Sequence, residues 1–227
     1  MGIGNGIGIG WGKVSLGGGV APNLAFEFTV QTDNAGTSAA DQFTIPITST
    51  TPYDISTSDG QSITGATGAT TITFPAPGTY TVSITDSCEG WRFSNGGDKL
   101  KLLNISNWGV YKNTTSNAFF GATNMTCTAV DEPINEHTQI EGCFRNCSNF
   151  NGAVGNWRIA STPMSSRYIF SGASSFNQPL NDWNTVGFNN LTSCFSGASS
   201  FNQDLYNWDT SNVTTFNYMF YNAVSFN

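Results

Sequence analysis

The residues that could carry chemistry are few and poorly grouped. His137 is the only histidine, and it sits in a polar stretch, Asn135-Glu-His-Thr-Gln139. A lone histidine would have to serve as general base with no second imidazole in the chain. In this polar setting it reads as a solvated loop residue. Three carboxylates, Asp182, Asp204 and Asp209, fall at nearby positions of a sequence repeat and could pair for glycoside hydrolysis. Yet Asp182 aligns with Asn207, and Asp209 aligns with Asn184. Asp and Asn interchange freely in turns, which argues for turn formation rather than a tuned acid–base pair. Five cysteines, at 88, 127, 143, 147 and 194, follow no zinc spacing. Cys143, Cys147 and His137 could hold a metal only in an irregular arrangement. A disulfide from Cys127 to Cys143 or Cys147 stays open, and buried small hydrophobes fit the cysteines better. Neither a Gly-x-Ser-x-Gly elbow nor a phosphate-binding loop occurs, and the Gly-x-Gly fragments between Gly4 and Gly12 lack a preceding strand and a following helix. We therefore expect a non-enzymatic protein with no cofactor and no metal.

The elements that would position any site differ along the chain. Residues 1–20 hold glycine at nearly every second place, as in a flexible tail or a segment that orders on docking. Residues 24–30, 42–47, 70–74 and 79–84 alternate or are β-branched and aromatic, so they read as strands. Turn residues separate them, including Asp59-Gly60 and Pro75-Ala-Pro-Gly78. A β-sandwich over 21–95 follows.

From about residue 96 a repeat takes over. The pattern Phe-Ser-Gly-Ala-Ser-Ser-Phe-Asn-Gln-x-Leu-x-x-Trp runs from Phe170 to Trp183 and from Phe195 to Trp208, and it begins again at Phe220. A divergent copy spans Phe144 to Trp157. Repetition at about 25 residues marks a solenoid whose coils bury their apolar faces only by stacking. Ile105, Val154, Leu180 and Leu205 each stand three residues before a Trp and are placed on an inward-facing strand. Phe150, Phe176, Phe201 and Phe226 should form one aromatic ladder, and Trp108, Trp157, Trp183 and Trp208 another. Asn151, Asn177, Asn202 and Asn227 should satisfy backbone groups at a buried turn. Cys147 takes the place of Ala173, Ala198 and Ala223, and Cys143 and Cys194 that of Ile169 and Met219.

The fold class is thus mainly β, an N-terminal sandwich followed by a leucine-rich-repeat-like solenoid over 96–227. Only 10% of residues are charged, against about 25% in ordinary soluble proteins. The net charge of −7 and eight basic residues exclude a phosphate-tracking footprint, so nucleic acid is not expected as a partner. No apolar run approaches the ~18 residues of a membrane span, so no membrane insertion is expected. The N-terminus has neither a basic region nor a continuous apolar one, unlike a secretory signal.

The repeat, with its continuation Trp208-Asp-Thr-Ser-Asn-Val-Thr214, resembles that of the BspA-like leucine-rich-repeat surface proteins of mycoplasmas, other bacteria and marine phages. The resemblance covers residues 140–227 closely and 98–139 more loosely. Residues 24–86 are similar to a PKD-like module through Asp59-Gly60 and Gly78-Thr-Tyr-Thr-Val82. The resemblance implies surface display and adhesion, with no catalytic residues to carry over. The expected role is a virion component such as a tail fibre or receptor-binding protein, placed on the virion surface. The alternatives are a bacterial cell-surface adhesin and an architectural decoration protein. Expected partners are a host-surface glycan or protein and sister subunits of a surface assembly, with a homo-oligomer among them, since the last coil begins at Phe220 with no cap following. The candidate contact residues are exposed positions that vary between coils: Tyr206, Asp204, Asp209, Asn184, Tyr218 and Tyr221.

Overall fold

A computed structural model of the chain describes residues 24–227, so the glycine-rich tail over 1–20 and its docking role lie outside the described residues. The described residues are mainly β and contain no helix and no closed barrel. Twelve strands occur: β1 Phe26–Gln31, β2 Gln42–Ile45, β3 Tyr53–Thr57, β4 Ser62–Ala66, β5 Thr70–Thr73, β6 Thr79–Thr85, β7 Cys88–Glu89, β8 Leu102–Asn107, β9 Tyr111–Lys112, β10 Thr126–Cys127, β11 Met164–Ser165 and β12 Phe188–Asn190.

The largest sheet has the order β10-β8-β1-β6-β3-β4, and β2 pairs with β5 in a second one. In β1 the period of two is complete: Phe26, Phe28 and Val30 are buried while their neighbours are half-exposed. Phe28 meets Phe43 of β2 at 5.8 Å, which joins the two sheets through aromatic packing. The β3–β4 hairpin closes at Asp59-Gly60, where Gly60 takes φ +91° and Thr57 pairs with Gln61. This hairpin was not among the expected strands. Its Ser and Thr residues carry little apolar alternation, and β4 has no buried side chain.

The main sheet does not stop where the sequence changes character. Strand β8 pairs antiparallel with β1 on one side and parallel with β10 on the other. The junction is fastened by two buried ionisable residues. Asp98 accepts hydrogen bonds from the Thr37, Ser38 and Thr44 amides and the Ser38 hydroxyl at 2.6–3.0 Å. Lys101 donates to the Ser38, Ala39 and Gln42 carbonyls and the Ser38 hydroxyl at 2.7–3.1 Å. Burial pushes the Asp98 carboxyl upward, but the bonds from Ser38 and Thr44 and the Lys101 charge together outweigh it and hold it below the usual range.

Beyond the junction, segments 24 to 26 residues apart lie side by side. The amides of Gly142, Phe144 and Asn146 donate to the carbonyls of Arg167, Ile169 and Ser171. Those of Tyr168, Phe170 and Gly172 donate to Thr192, Cys194 and Ser196, and those of Ser193, Phe195 and Gly197 to Asn217, Met219 and Tyr221. Phe150, Phe176, Phe201 and Phe226 stack in sequence at 5.8–5.9 Å with interplanar angles of 6–13°. A second column, Phe119, Phe144, Phe170, Phe195 and Phe220, stacks beside it at 5.5–5.7 Å.

Several expectations are corrected. Ile105 lies in a strand, but Val154, Leu180 and Leu205 do not: each carbonyl accepts the backbone N–H of the Trp three residues on, closing a turn. Leu205 is only partly buried. The tryptophans form no continuous ladder, since Trp183 and Trp208 stack at 6.3 Å but Trp108 meets Trp157 edge-on, at 89°. The asparagine column exists but is largely exposed. Asn177, Asn202 and Asn227 donate their amides to the side-chain oxygen of the preceding asparagine at 2.9–3.2 Å, and Asn151, Asn202 and Asn227 face solvent.

Candidate binding surface

His137 is fully buried, contrary to the expected solvated loop. Its Nδ1 accepts the Asn113 amide at 3.0 Å, and its ring lies 4.2 Å from that of Trp157. Burial, with a smaller push from the Arg158 charge, lowers its pKa to about 3. The ring is therefore neutral and walled off, and the polar sequence around it belongs to the loop backbone. All five cysteines are free thiols. Burial raises the pKa of each, and that of half-buried Cys127 reaches about 11. None presents a ready thiolate. Among the described residues no three His, Cys, Asp or Glu side chains converge as a metal site would need.

The six candidate contact residues are all exposed but fall into three groups. Asp204 and Tyr206 line a cleft of about 280 Å³ with Leu205, Phe226 and Asn227. Asn184 donates to the Ser161 hydroxyl at 2.8 Å, and the Asp209 carboxylate accepts the Ser211 amide at 2.9 Å. The hydrogen bonds from Ser211 hold the Asp209 carboxyl below its usual range. These two residues are occupied with turn formation. Tyr218 and Tyr221 pack against each other edge-on, with ring centroids 5.9 Å apart. A smaller cleft of about 160 Å³ is lined by Asp131, Trp157 and Pro179 among others.

The Tyr218–Tyr221 pair belongs to a column that the sequence reading missed. Each segment forms the same tight turn, in which residue 120, 145, 171, 196 or 221 donates its amide to the carbonyl three residues back. The turn's first residue is left-handed in every copy: Asn117, Gly142, Tyr168, Ser193 and Tyr218 have φ of +54 to +62°. Asparagine and glycine suit that conformation, whereas a tyrosine there costs about 1–2 kcal/mol. Tyr168 thus occupies the Tyr218 position two segments earlier, a match visible by counting two periods back. The Arg145 guanidinium lies 4.7 Å from the Phe120 ring centroid and 4.5 Å from that of Tyr168, a cation held between two aromatic rings.

A family model described as "Mycoplasma protein of unknown function, DUF285" matches residues 96–164 and 138–227. No curated protein and no solved structure matches the chain.

Proposed function

We propose, from the premise that this chain belongs to the family described as Mycoplasma protein of unknown function, DUF285, that it is a non-enzymatic, surface-displayed binding protein. Residues 96–227 are read as a leucine-rich-repeat-type solenoid of BspA-like coils, and residues 21–95 as a PKD-like β-sandwich that carries it. The stacked phenylalanine columns and the recurring amide-to-carbonyl bonds support the first reading. The Phe28–Phe43 contact between two sheets supports the second.

The observation that carries the function is the division of labour within each segment. Phenylalanines and alanines keep the frame constant, while the tight-turn residues change from segment to segment and place Tyr168, Tyr218 and Tyr221 at the surface. Tyrosine offers broad, rigid, amphipathic contact at low entropy cost, as expected of a recognition surface. The display site we propose is a virion, as a tail fibre or receptor-binding component that meets a host glycan or protein. The family's mycoplasma description favours a second reading, an adhesin on a bacterial cell. Mass spectrometry of purified virions and of cell-envelope fractions separates the two. Recovery in stoichiometric amounts from virions supports the first, and recovery from envelopes alone supports the second. Confinement to the cytosol would sink both.

A further inference from the structure

Resting on that surface-binding reading, we propose that Arg145, clamped by Phe120 and Tyr168, is the binding site for the carboxylate of an acidic sugar in a surface glycan. The register of the segments builds the clamp. The Gly121 amide donates to the Arg145 carbonyl, and the Asn146 amide donates to the Ser171 carbonyl, so Phe120, Arg145 and Ser171 hold one place in three successive segments. The Ser171 amide in turn donates to the Tyr168 carbonyl, which brings Tyr168 into the same turn. The Arg145 guanidinium carbon lies over the Phe120 ring at 4.7 Å and over the Tyr168 ring at 4.5 Å. Arg167 stands over the Tyr168 ring as well, at 5.8 Å. Arg145 is thus the cation met by a ring from each neighbouring segment.

The charge of Arg145 is unanswered. Among the described residues Lys99 donates to Asn95, Lys101 to Ser38, Arg158 to the Ile134 carbonyl and Arg167 to Glu141, and Lys112 lies 3.9 Å from Glu89. The Arg145 and Arg92 side chains make no hydrogen bond or ion pair with any described residue. Arg92 is exposed to water, whereas Arg145 is half-buried against its two rings. The planar fork of a guanidinium matches the two oxygens of a carboxylate, and rings that hold the fork beforehand reduce the entropy lost on binding. Tyr168 supplies its ring from a left-handed backbone position, φ +58°, that Asn117 and Gly142 occupy in the two segments before. A tyrosine is strained there, and such strain gathers at functional sites.

Two further observations choose the ligand. With a net charge of −7 and only 8 basic residues, the chain as a whole repels a polyanion, so one isolated negative charge suits it better than a run of them. A protein partner would need apolar anchors around the charge. No large apolar side chain between residues 135 and 185 is exposed, and the neighbours of Arg145 in the turn rows are polar, with Asn146 exposed and Ser171 half-buried. Sugar hydroxyls suit such surroundings.

The test is titration of the full chain with sialyllactose and with a glucuronate-ended disaccharide, each beside its methyl ester, and with a peptide rich in Asp and Glu, all followed by NMR. We expect at least one acidic sugar to bind about tenfold more tightly than its ester, and the preference to shrink as salt rises. Arg145→Gln keeps much of the stem and removes the charge, so the acid should bind about tenfold more weakly while the melting temperature holds. Arg145→Lys keeps the charge without the fork and should restore only part of the preference. Tyr168→Asn removes one ring and sets in the left-handed place the residue type that Asn117 already holds there. It should weaken acid binding about threefold in a fully folded chain. No preference for either acid over its ester, unchanged acid binding in a folded Arg145→Gln, or a peptide bound more tightly than both sugars overturns the site. Should Arg145→Gln fail to fold, Tyr168→Asn decides, and an unchanged preference there overturns the site too. The surface reading is judged separately, by the fractionation above. A protein found on virions or envelopes that shows no acid preference loses only the Arg145 site, and one that shows it but is found on neither loses only the surface role.

Discussion

The indole N–H of Trp208 donates to the carbonyl of Leu180, in the preceding segment, at 3.0 Å. The same carbonyl also accepts the backbone amide of Trp183. Both lone pairs of one oxygen are thereby used, one by its own segment and one by the next. Val154 does the same for the Trp157 amide and the Trp183 indole, at 2.7 Å for the latter. The spacing Leu-x-x-Trp is thus a hydrogen-bonding device as much as an apolar one. It closes a turn and then ties that turn to its neighbour.

Replacing Trp183 by Phe keeps most of the ring but takes the indole N–H from the Val154 carbonyl. We expect a loss of about 1–3 kcal/mol, measured by chemical denaturation, because a buried acceptor loses one of its two donors. Phe176→Ala should cost more, about 3–5 kcal/mol, since it opens a gap between Phe150, Phe170 and Phe201.

Acid should weaken the fold in two stages. His137 has a folded-state pKa of about 3, well below the ordinary 6.5. Between these values the unfolded chain binds the extra proton, so stability is full above about pH 6.5 and falls as the pH drops towards 3, by at most ~1.4 kcal/mol per pH unit. Asp98, held below the usual carboxylate range, adds a further loss below about pH 4. His137→Phe should flatten the upper stage in a melting series from about pH 7 down to about pH 2 and leave the lower one.

The Lys101 ammonium ties the loop around Ser38 to the junction through four hydrogen bonds. Lys101→Met keeps the stem's volume but frees the Ser38, Ala39 and Gln42 carbonyls. An expected cost of about 2–4 kcal/mol follows, with faster hydrogen exchange between residues 36 and 44.

Thiol reactivity should be ordered by access. Cys127 is half-buried and the other four cysteines are buried. Brief alkylation of the native protein, mapped by peptide mass spectrometry, should modify Cys127 first, slowly at neutral pH and faster as the pH rises towards 11. Early labelling of Cys143 or Cys194 would mean that the segments open readily.

The phenylalanine column was legible because stacking requires the same large residue at the same phase in every segment, and the sequence supplies it at Phe150, Phe176, Phe201 and Phe226. The β1 strand was legible for a similar reason, in its alternation of buried Phe26, Phe28 and Val30. The β3–β4 hairpin was not, because Ser and Thr hide the period. The position of His137 depends on Asn113 and Trp157, both about 20 residues away, and its polar neighbours in sequence gave no sign of them. Tyr218 and Tyr221 were picked out singly, as variable tyrosines. Their relation to Tyr168 needs the left-handed turn column, which backbone geometry reveals and residue type conceals.

That column also has an electrostatic direction. In the tight-turn rows each segment donates its amides forward to the next, from Gly142 to Arg167, Gly172 to Ser196 and Gly197 to Tyr221. The peptide dipoles of these rows therefore add, in the manner of a helix, with their positive pole towards the last segment. A segment turned end for end within this stack would set donors against donors and carbonyls against carbonyls, so the order of the segments is polar, with a head and a tail.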